Sequence, residues 1–579
     1  MRRLISALLL AAAATSAQDA ADLFAKHCGA CHRSASDVRA PLPDVLALMP
    51  RQQILTALES GSMKAQGEAL TREQRVALAA FLSKITTIDS AANGLCSSNV
   101  TPARGQGAWN GWGVDLANTR FQPASGLSAQ DIPKLQLKWA FGFPNATVAF
   151  AQPTIDKGKL YFGSGSGKVY SVDVRTGCIF WTFQAASGVR SAISIDGTRA
   201  FFGDLKANVY AIDIAAGKLA WQVHVEEHVS SRITGAPALY NGRLYVPVSS
   251  VEEPPAGNIA YSCCTFRGSV VALDAESGKQ IWKSYAIPDP PGKTKTTATG
   301  TQLMGPAGAA IWSAPTIDPQ RNVLYVATGN GYSDPATKYT DAIIAFDLAT
   351  GSMKWSRQMT PNDRWNFGCQ GKIIETCPPD PGGDYDFGAS PVLIGNLLFA
   401  GQKSGMVHAL DADRQGAVVW QTRIGRGSAL GGVEWGLAAD TDNVYAPLSD
   451  INGQGLPMGG LFALRQKDGA KVWHALPPKP PCAGKPGCSA AQMAPATAIP
   501  GIVFSGSMDG HLRAYEAATG KLVWDFDTLR EFPTVNGVKA KGGSLNATGP
   551  TLAGGMLFVN SGYGSLGGMP GNVLLAFGL

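Results

Sequence analysis

The stretch LFAKHCGACH sets Cys28 and Cys31 three positions apart, with His32 directly after the second. Two thiols at that spacing can form thioethers with the two vinyl groups of a porphyrin, and the adjacent imidazole is then held against the iron. The motif therefore predicts covalently bound haem c. A zinc site would need a second ligand pair nearby, and the sequence has none there. For the sixth iron ligand, Met63 in ESGSMKAQGEALT lies in a loop just ahead of TREQRVALAAFLSKI, a helix that opens on a Thr71/Gln74 capping box. Met49 is the alternative, since a soft thioether serves equally well as core filler.

These residues follow MRRLISALLLAAAATSAQ, two arginines and then an apolar run ending in small residues. This reads as a secretory signal over residues 1–17, cut after Ala17 and too short to anchor the mature chain. No other apolar stretch approaches the ~20 residues of a membrane-spanning helix, so no stable membrane anchor is expected. Ten cysteines suit an oxidising compartment, which places the protein in the periplasm. The net charge of +6 is dispersed, with no Lys/Arg run of the kind that tracks nucleic acid.

A short apolar strand, a turn and then x-Y-A-x-D-x-x-T-G-K-x-x-W recurs along the rest of the chain, with copies ending at Trp181, Trp221, Trp282, Trp355, Trp420, Trp473 and Trp524. Such a unit cannot bury both faces alone and must stack on its neighbours. A final strand pair, GMLFVNSGYGS and GNVLLAFGL, reaches Leu579 without a Trp, and LQLKWAF around Trp139 supplies the missing outer strand. The expected fold is an all-β eight-bladed propeller over 108–579, closed between its two ends. An all-α cytochrome c domain over 18–89 and a linker over 90–107 precede it.

From Trp109 onward the chain resembles the alcohol dehydrogenases that depend on pyrroloquinoline quinone (PQQ), on the strength of WNGWGVDLANTRFQP and the Trp-ended blades. The resemblance implies a set of roles. Trp312 in GAAIWSAPTID would be the flat floor under the quinone. Asn330 in ATGNGYSDP and Glu253 in SSVEEPPAG would bind Ca²⁺, with Glu252 the alternative to Glu253. The family's catalytic Asp should follow TPNDRW, where this chain has Asn366. The expected D-F reappears in GGDYDFGASPVL, so 366–385 reads as an insertion closed by a Cys369–Cys377 disulfide. That returns the base, also a calcium ligand, as Asp386, with Asp384 as runner-up. Lys403 in AGQKSGMVHALD would bond the quinone oxygens, and Arg190 in SGVRSAISIDG a cofactor carboxylate.

The family also carries a disulfide between neighbouring cysteines over the quinone, in an earlier blade than the pair found here. Cys263 and Cys264 are expected to form it and to face PQQ from the next blade. Cys482 and Cys488 would close a loop around AGKPG, leaving Cys96 and Cys178 to tie the linker to the first blade.

With its cytochrome in front, the chain is most similar to the branch of the family that acts on polyvinyl alcohol. The resemblance implies oxidation of secondary alcohol groups, of polyvinyl alcohol or a similar polyol, to ketones. Electrons would leave through haem c to a soluble cytochrome c. The alternatives are another small or sugar alcohol or, in a different class, a non-catalytic propeller scaffold, against which the haem motif argues.

Overall fold

A computed structural model describes residues 19–32, 40–59, 61, 63–84, 94–97, 107–451 and 458–579. The expected signal segment and most of the expected linker lie outside them. The N-terminal part is helical: α1 (19–27), α2 (Gly29–His32), α3 (Pro43–Leu46), α4 (Arg51–Glu59), α5 (Lys64–Glu68) and α6 (Arg72–Leu82). α6 opens on the reciprocal cap expected from sequence, with Gln74 N donating to Thr71 Oγ1 at 3.3 Å and Thr71 N to Gln74 Oε1 at 2.9 Å. Phe24, Leu46, Ile54, Leu58, Leu70, Leu78 and Leu82 form its core, against which Cys28, Met49 and Met63 pack half-buried.

The rest is a ring of eight antiparallel sheets, seven of four strands and one of five. The repeat phrase explains how blades lock together. In each D-x-x-T-G turn the Asp accepts from the backbone ahead of it, as Asp173 Oδ1 does from Thr176 N at 2.9 Å. The following Gly takes a left-handed conformation and leaves room for the Trp of the preceding blade. At Gly217 (φ +66°) a Cβ would stand 2.6 Å from the Trp181 ring, and at Gly278 (φ +73°) 2.8 Å from Trp221. The indole N–H then bonds the adjoining blade, as in Trp181 Nε1 to Ile214 O (2.9 Å), Trp221 to Ala275 O (3.1 Å) and Trp473 to Ala517 O (2.9 Å). One Trp and one Gly thus form seven of the eight interblade contacts.

Closure follows the sequence expectation. Thr551–Ala553, Met556–Ser561 and Val573–Gly578 form the inner strands of the last blade, and Gln136–Gly142 is its outer strand, paired antiparallel from Gln136↔Gly578 to Gly142↔Val573. This blade has no D-x-x-T-G turn before its outer strand, because the two chain ends meet there. Trp524 of the preceding blade accordingly packs edge-on against Phe577, centroids 5.4 Å apart.

The segment from Trp109 to Gln122 runs across the inner ends of the blades. Its carbonyls at Leu116, Ala117 and Thr119 accept from Ile317, Leu393 and Ala439, which open three successive blades. Arg120, fully buried, anchors it: Nε donates to Ala496 O (2.7 Å), Nη1 to Trp112 O (2.8 Å) and Gln152 Oε1 (2.6 Å), and Nη2 to Thr497 Oγ1 (2.8 Å). The guanidinium also lies over the rings of Trp109 (5.3 Å) and Trp112 (4.8 Å). Burial pushes its pKa down to about 9, and no carboxylate pairs with it among the described residues. Arg120→Met should therefore destabilise the propeller by about 3–5 kcal/mol, since it strands several buried acceptors at once. Arg120→Lys should recover little, because one ammonium cannot replace the fork. Thermal melts of the two variants test this, and a Tm within a degree of wild type would refute it.

Candidate active site

A cavity opens on the propeller axis above this plug. Trp112, Gln152, Arg190, Thr234, Trp312 and Trp435 line it, each from a different part of the ring. Trp312 sits just before the innermost strand of its blade (Thr316–Asp318), and Thr234 Oγ1 donates to its carbonyl at 3.0 Å. Trp435 meets it edge to face, centroids 5.3 Å apart at 89°. Nζ of Lys403, a residue only 5% exposed, lies 4.9 Å over the Trp312 ring.

Lys403 in turn reaches two carboxylates, Asp386 Oδ2 at 2.6 Å and Asp384 Oδ1 at 3.6 Å. Asp386 Oδ1 accepts from Asn330 N at 2.6 Å. The T-G-N turn permits this approach, for a Cβ on Gly329 would fall 2.6 Å from Asp386 Oδ1 and 3.4 Å from Trp312 Nε1. Burial works to raise the Asp386 pKa, but the Lys403 charge and the bonds from Lys403 and Asn330 outweigh it and hold the carboxyl below its usual range. Four residues picked out in sequence, Trp312, Asn330, Asp386 and Lys403, thus meet at one point.

The structure gives Asn366 a different task from the base whose place it takes. It is fully buried, with Nδ2 donating to Tyr332 O (2.8 Å) and Thr376 O (2.9 Å) and Oδ1 accepting from Gly368 N (2.7 Å). It fastens the segment that the Cys369–Cys377 disulfide closes. Glu252 and Glu253 also separate. Glu252 is fully buried and occupied, accepting from Thr265 N (2.9 Å), Phe266 N (2.8 Å) and Tyr261 Oη (2.9 Å). Glu253 is half-buried, and its charge, together with that of Asp386, bears on the Tyr332 hydroxyl.

All four expected disulfides are present: Cys96–Cys178, Cys263–Cys264, Cys369–Cys377 and Cys482–Cys488. The Cys263–Cys264 pair is buried behind Tyr332, with Cys263 Sγ 3.8 Å from Tyr332 O and 3.9 Å from Asn366 Nδ2. It does not line the Trp312–Trp435 cavity.

Sequence reasoning left three contributors unassigned. Trp435 was visible only as a Trp outside the blade repeats; its indole N–H donates to Asn546 Oδ1 at 2.6 Å, and Arg190 lies over its ring at 4.5 Å. Asp341 and Asp363 carried no motif at all. Burial pushes the Asp363 carboxyl up to about 7 and Asp341 well above the carboxylate range, the neighbouring carboxylates adding to both. Of the three carboxyls of Asp341, Asp363 and Asp386, that of Asp386 alone is held below its usual range.

The eight cysteines from Cys96 onward form the four disulfides, and in the helical domain Cys28 and Cys31 take part in none, which fits two thioether bonds. His32 is buried, with Nδ1 2.7 Å from Pro41 O. A carbonyl only accepts, so Nδ1 carries the proton and Nε2 is left with a lone pair for iron.

The fold and site define a quinoprotein propeller of the PQQ-dependent alcohol dehydrogenase type, joined to a cytochrome c domain. Residues 109–372 match the family model for the glucose/ethanol/alcohol dehydrogenase β-propeller domain, and residues 15–82 match that for cytochrome c oxidase, cbb3-type, subunit III. The chain is 38% identical to a polyvinylalcohol dehydrogenase of a Pseudomonas species, over 96% of this chain and 93% of the relative. It is 37% identical to another from a Sphingopyxis species, over 96% and 92%. In structure it is similar to the quinohemoprotein alcohol dehydrogenase ADHIIG of Pseudomonas putida, with a TM-score of 0.62 at 19% identity, covering 82% of this chain and 80% of that one. The chain belongs to the family of PQQ- and haem c-dependent quinohaemoprotein alcohol dehydrogenases, in the group of the polyvinylalcohol dehydrogenases. It is an enzyme, and the scaffold alternative is set aside.

Proposed function

We propose that the protein oxidises secondary alcohol groups, of polyvinyl alcohol or a similar polyol, to ketones in the periplasm, and delivers the electrons to an external cytochrome c. The chemistry rests on one observation above all: Asp386, Asn330 and Lys403 converge beside the Trp312 face. The substrate rests on the polyvinylalcohol dehydrogenases to which the chain is similar along nearly its whole length. Among the described residues no helix is long and apolar enough to cross a membrane.

The residues fit the groups they would hold. Asn330 Oδ1 is buried with no hydrogen-bond partner, while its Nδ2 is committed to Trp365 O at 2.8 Å. An amide oxygen held that way, on the residue whose N–H bonds Asp386, suits Ca²⁺, which takes hard oxygen ligands. Trp312 offers a ring face for PQQ, with Lys403 over that ring and Arg190 lining the same cavity. Cys28 and Cys31 would carry the haem, with His32 and Met63 on its iron. When bound, PQQ supplies the hydride acceptor and haem c the one-electron carrier. Asp386 takes the hydroxyl proton at a carboxylate oxygen that Lys403 keeps ionised beforehand. Once Asp386 is protonated, the ammonium of Lys403 is released to stabilise negative charge beside the Trp312 face. Burial raises the Asp341 carboxyl well above the carboxylate range, so that residue adds little to the charge balance.

The test is turnover of purified, calcium- and PQQ-loaded protein with polyvinyl alcohol, secondary alkanols, primary alcohols and aldoses, read as reduction of its own haem. Polyvinyl alcohol and secondary alkanols should reduce the haem fastest. Haem reduction by aldoses alone would overturn the substrate, and none with any alcohol would overturn the activity.

A further inference from the structure

We propose that Arg232 joins Arg190 in a two-guanidinium site that takes one carboxylate of the quinone cofactor; the assignment rests on the PQQ reading above. Sequence comparison pointed to Arg190 alone. Arg190 lines the axial cavity over the Trp435 ring, and its guanidinium makes no hydrogen bond or ion pair among the described residues. Arg232 belongs to the short strand Ser231–Arg232, paired with Ser249 and Ser250. Two residues on, Thr234 lines the same cavity. Positions i and i+2 of an extended chain share a face, so Arg232 is presented on the side that Thr234 faces.

The Arg232 side chain also lacks a protein partner. Its Nε is buried and unsatisfied, and none of its N–H groups makes a hydrogen bond or ion pair among the described residues. An ordinary surface arginine would extend its head into water, whereas this one is half-buried. Burial, and then the charge of Arg190, push its pKa down to about 10, so the two guanidiniums stand close enough to repel. Two neighbouring like charges, one of them with a buried unsatisfied donor, are costly in the empty protein. A carboxylate reverses that cost, because its paired oxygens match guanidinium forks and its charge cancels their repulsion. PQQ carries three carboxylates, and holding one of them at this site would orient the ring system on Trp312.

Isothermal titration calorimetry of PQQ into the full haem-loaded chain, freed of quinone and supplied with calcium, tests this without recourse to turnover. Arg232→Gln should weaken binding roughly tenfold to a hundredfold, as expected for a lost charge-assisted pair. Arg232→Lys should recover part of the loss. With the trimethyl ester of PQQ, wild type and Arg232→Gln should bind alike, because the ester has no anionic oxygen pair. Unchanged affinity for PQQ in Arg232→Gln would overturn the inference. So would an equal loss for acid and ester, which would make the role of Arg232 merely structural. If wild type itself does not bind PQQ, the PQQ reading fails rather than this inference alone.

Discussion

Asp386→Asn is expected to lower alcohol-driven haem reduction by about 10³-fold while leaving PQQ bound at wild-type stoichiometry. An amide preserves the shape that accepts from Asn330 N and can still offer calcium an oxygen, but it cannot take a proton at neutral pH, and general-base contributions run to roughly 10²–10⁴-fold. The variant should fold, because Lys403 keeps Asp384 at 3.6 Å and the Trp312 ring at 4.9 Å and is not stranded as a lone buried charge. Asp384→Asn is the necessary companion. Asp384 is as deeply buried but stands farther from the ammonium, so its loss should cost less than about tenfold. Turnover with a dye acceptor, alongside absorbance of extracted quinone, separates catalysis from binding. An active Asp386→Asn beside an inactive Asp384→Asn would move the base by two residues.

Prolonged chelation should abolish turnover altogether, and Ca²⁺ added with PQQ should restore it. The unsatisfied Asn330 Oδ1 and the carboxylates of Glu253 and Asp386 would make a hard-oxygen set, and its affinity would depend on each member. Asn330→Ala should then need at least about tenfold more calcium for half-maximal reactivation, because it deletes the one neutral oxygen already aimed at the site. Glu252→Gln should leave the calcium requirement unchanged, since Glu252 is spent on the backbone of Thr265 and Phe266. The check is metal analysis paired with turnover. Full activity in protein shown to be metal-free would remove calcium from the site.

What could be read in the sequence was what depends on short or periodic spacing. Cys28-x-x-Cys31-His32 is a local constraint of thioether geometry, and the Thr71/Gln74 cap spans one helical turn. The Trp-ended phrase was legible because seven of the eight interblade contacts are made the same way, one Gly against one Trp, so the fold writes itself into the chain as a period. Even the pairing of the Gln136–Gly142 strand with the C-terminal strand followed from a Trp missing at the end of the last repeat.

The axis of the ring is where spacing stopped being informative. Each blade sends the start of its first strand there, so residues distant in the chain meet at positions fixed by ring closure. Trp435 against Trp312 and Arg120 among Trp109, Trp112 and Gln152 are contacts of that kind, and no local pattern marks them. The tertiary structure alone also separated Glu252 from its neighbour, because adjacent carboxylates look identical in sequence until backbone N–H groups are seen to claim one. The same holds for Asp341 and Asp363, whose protons are held by burial, a property of the packed ring rather than of the residues beside them in the chain.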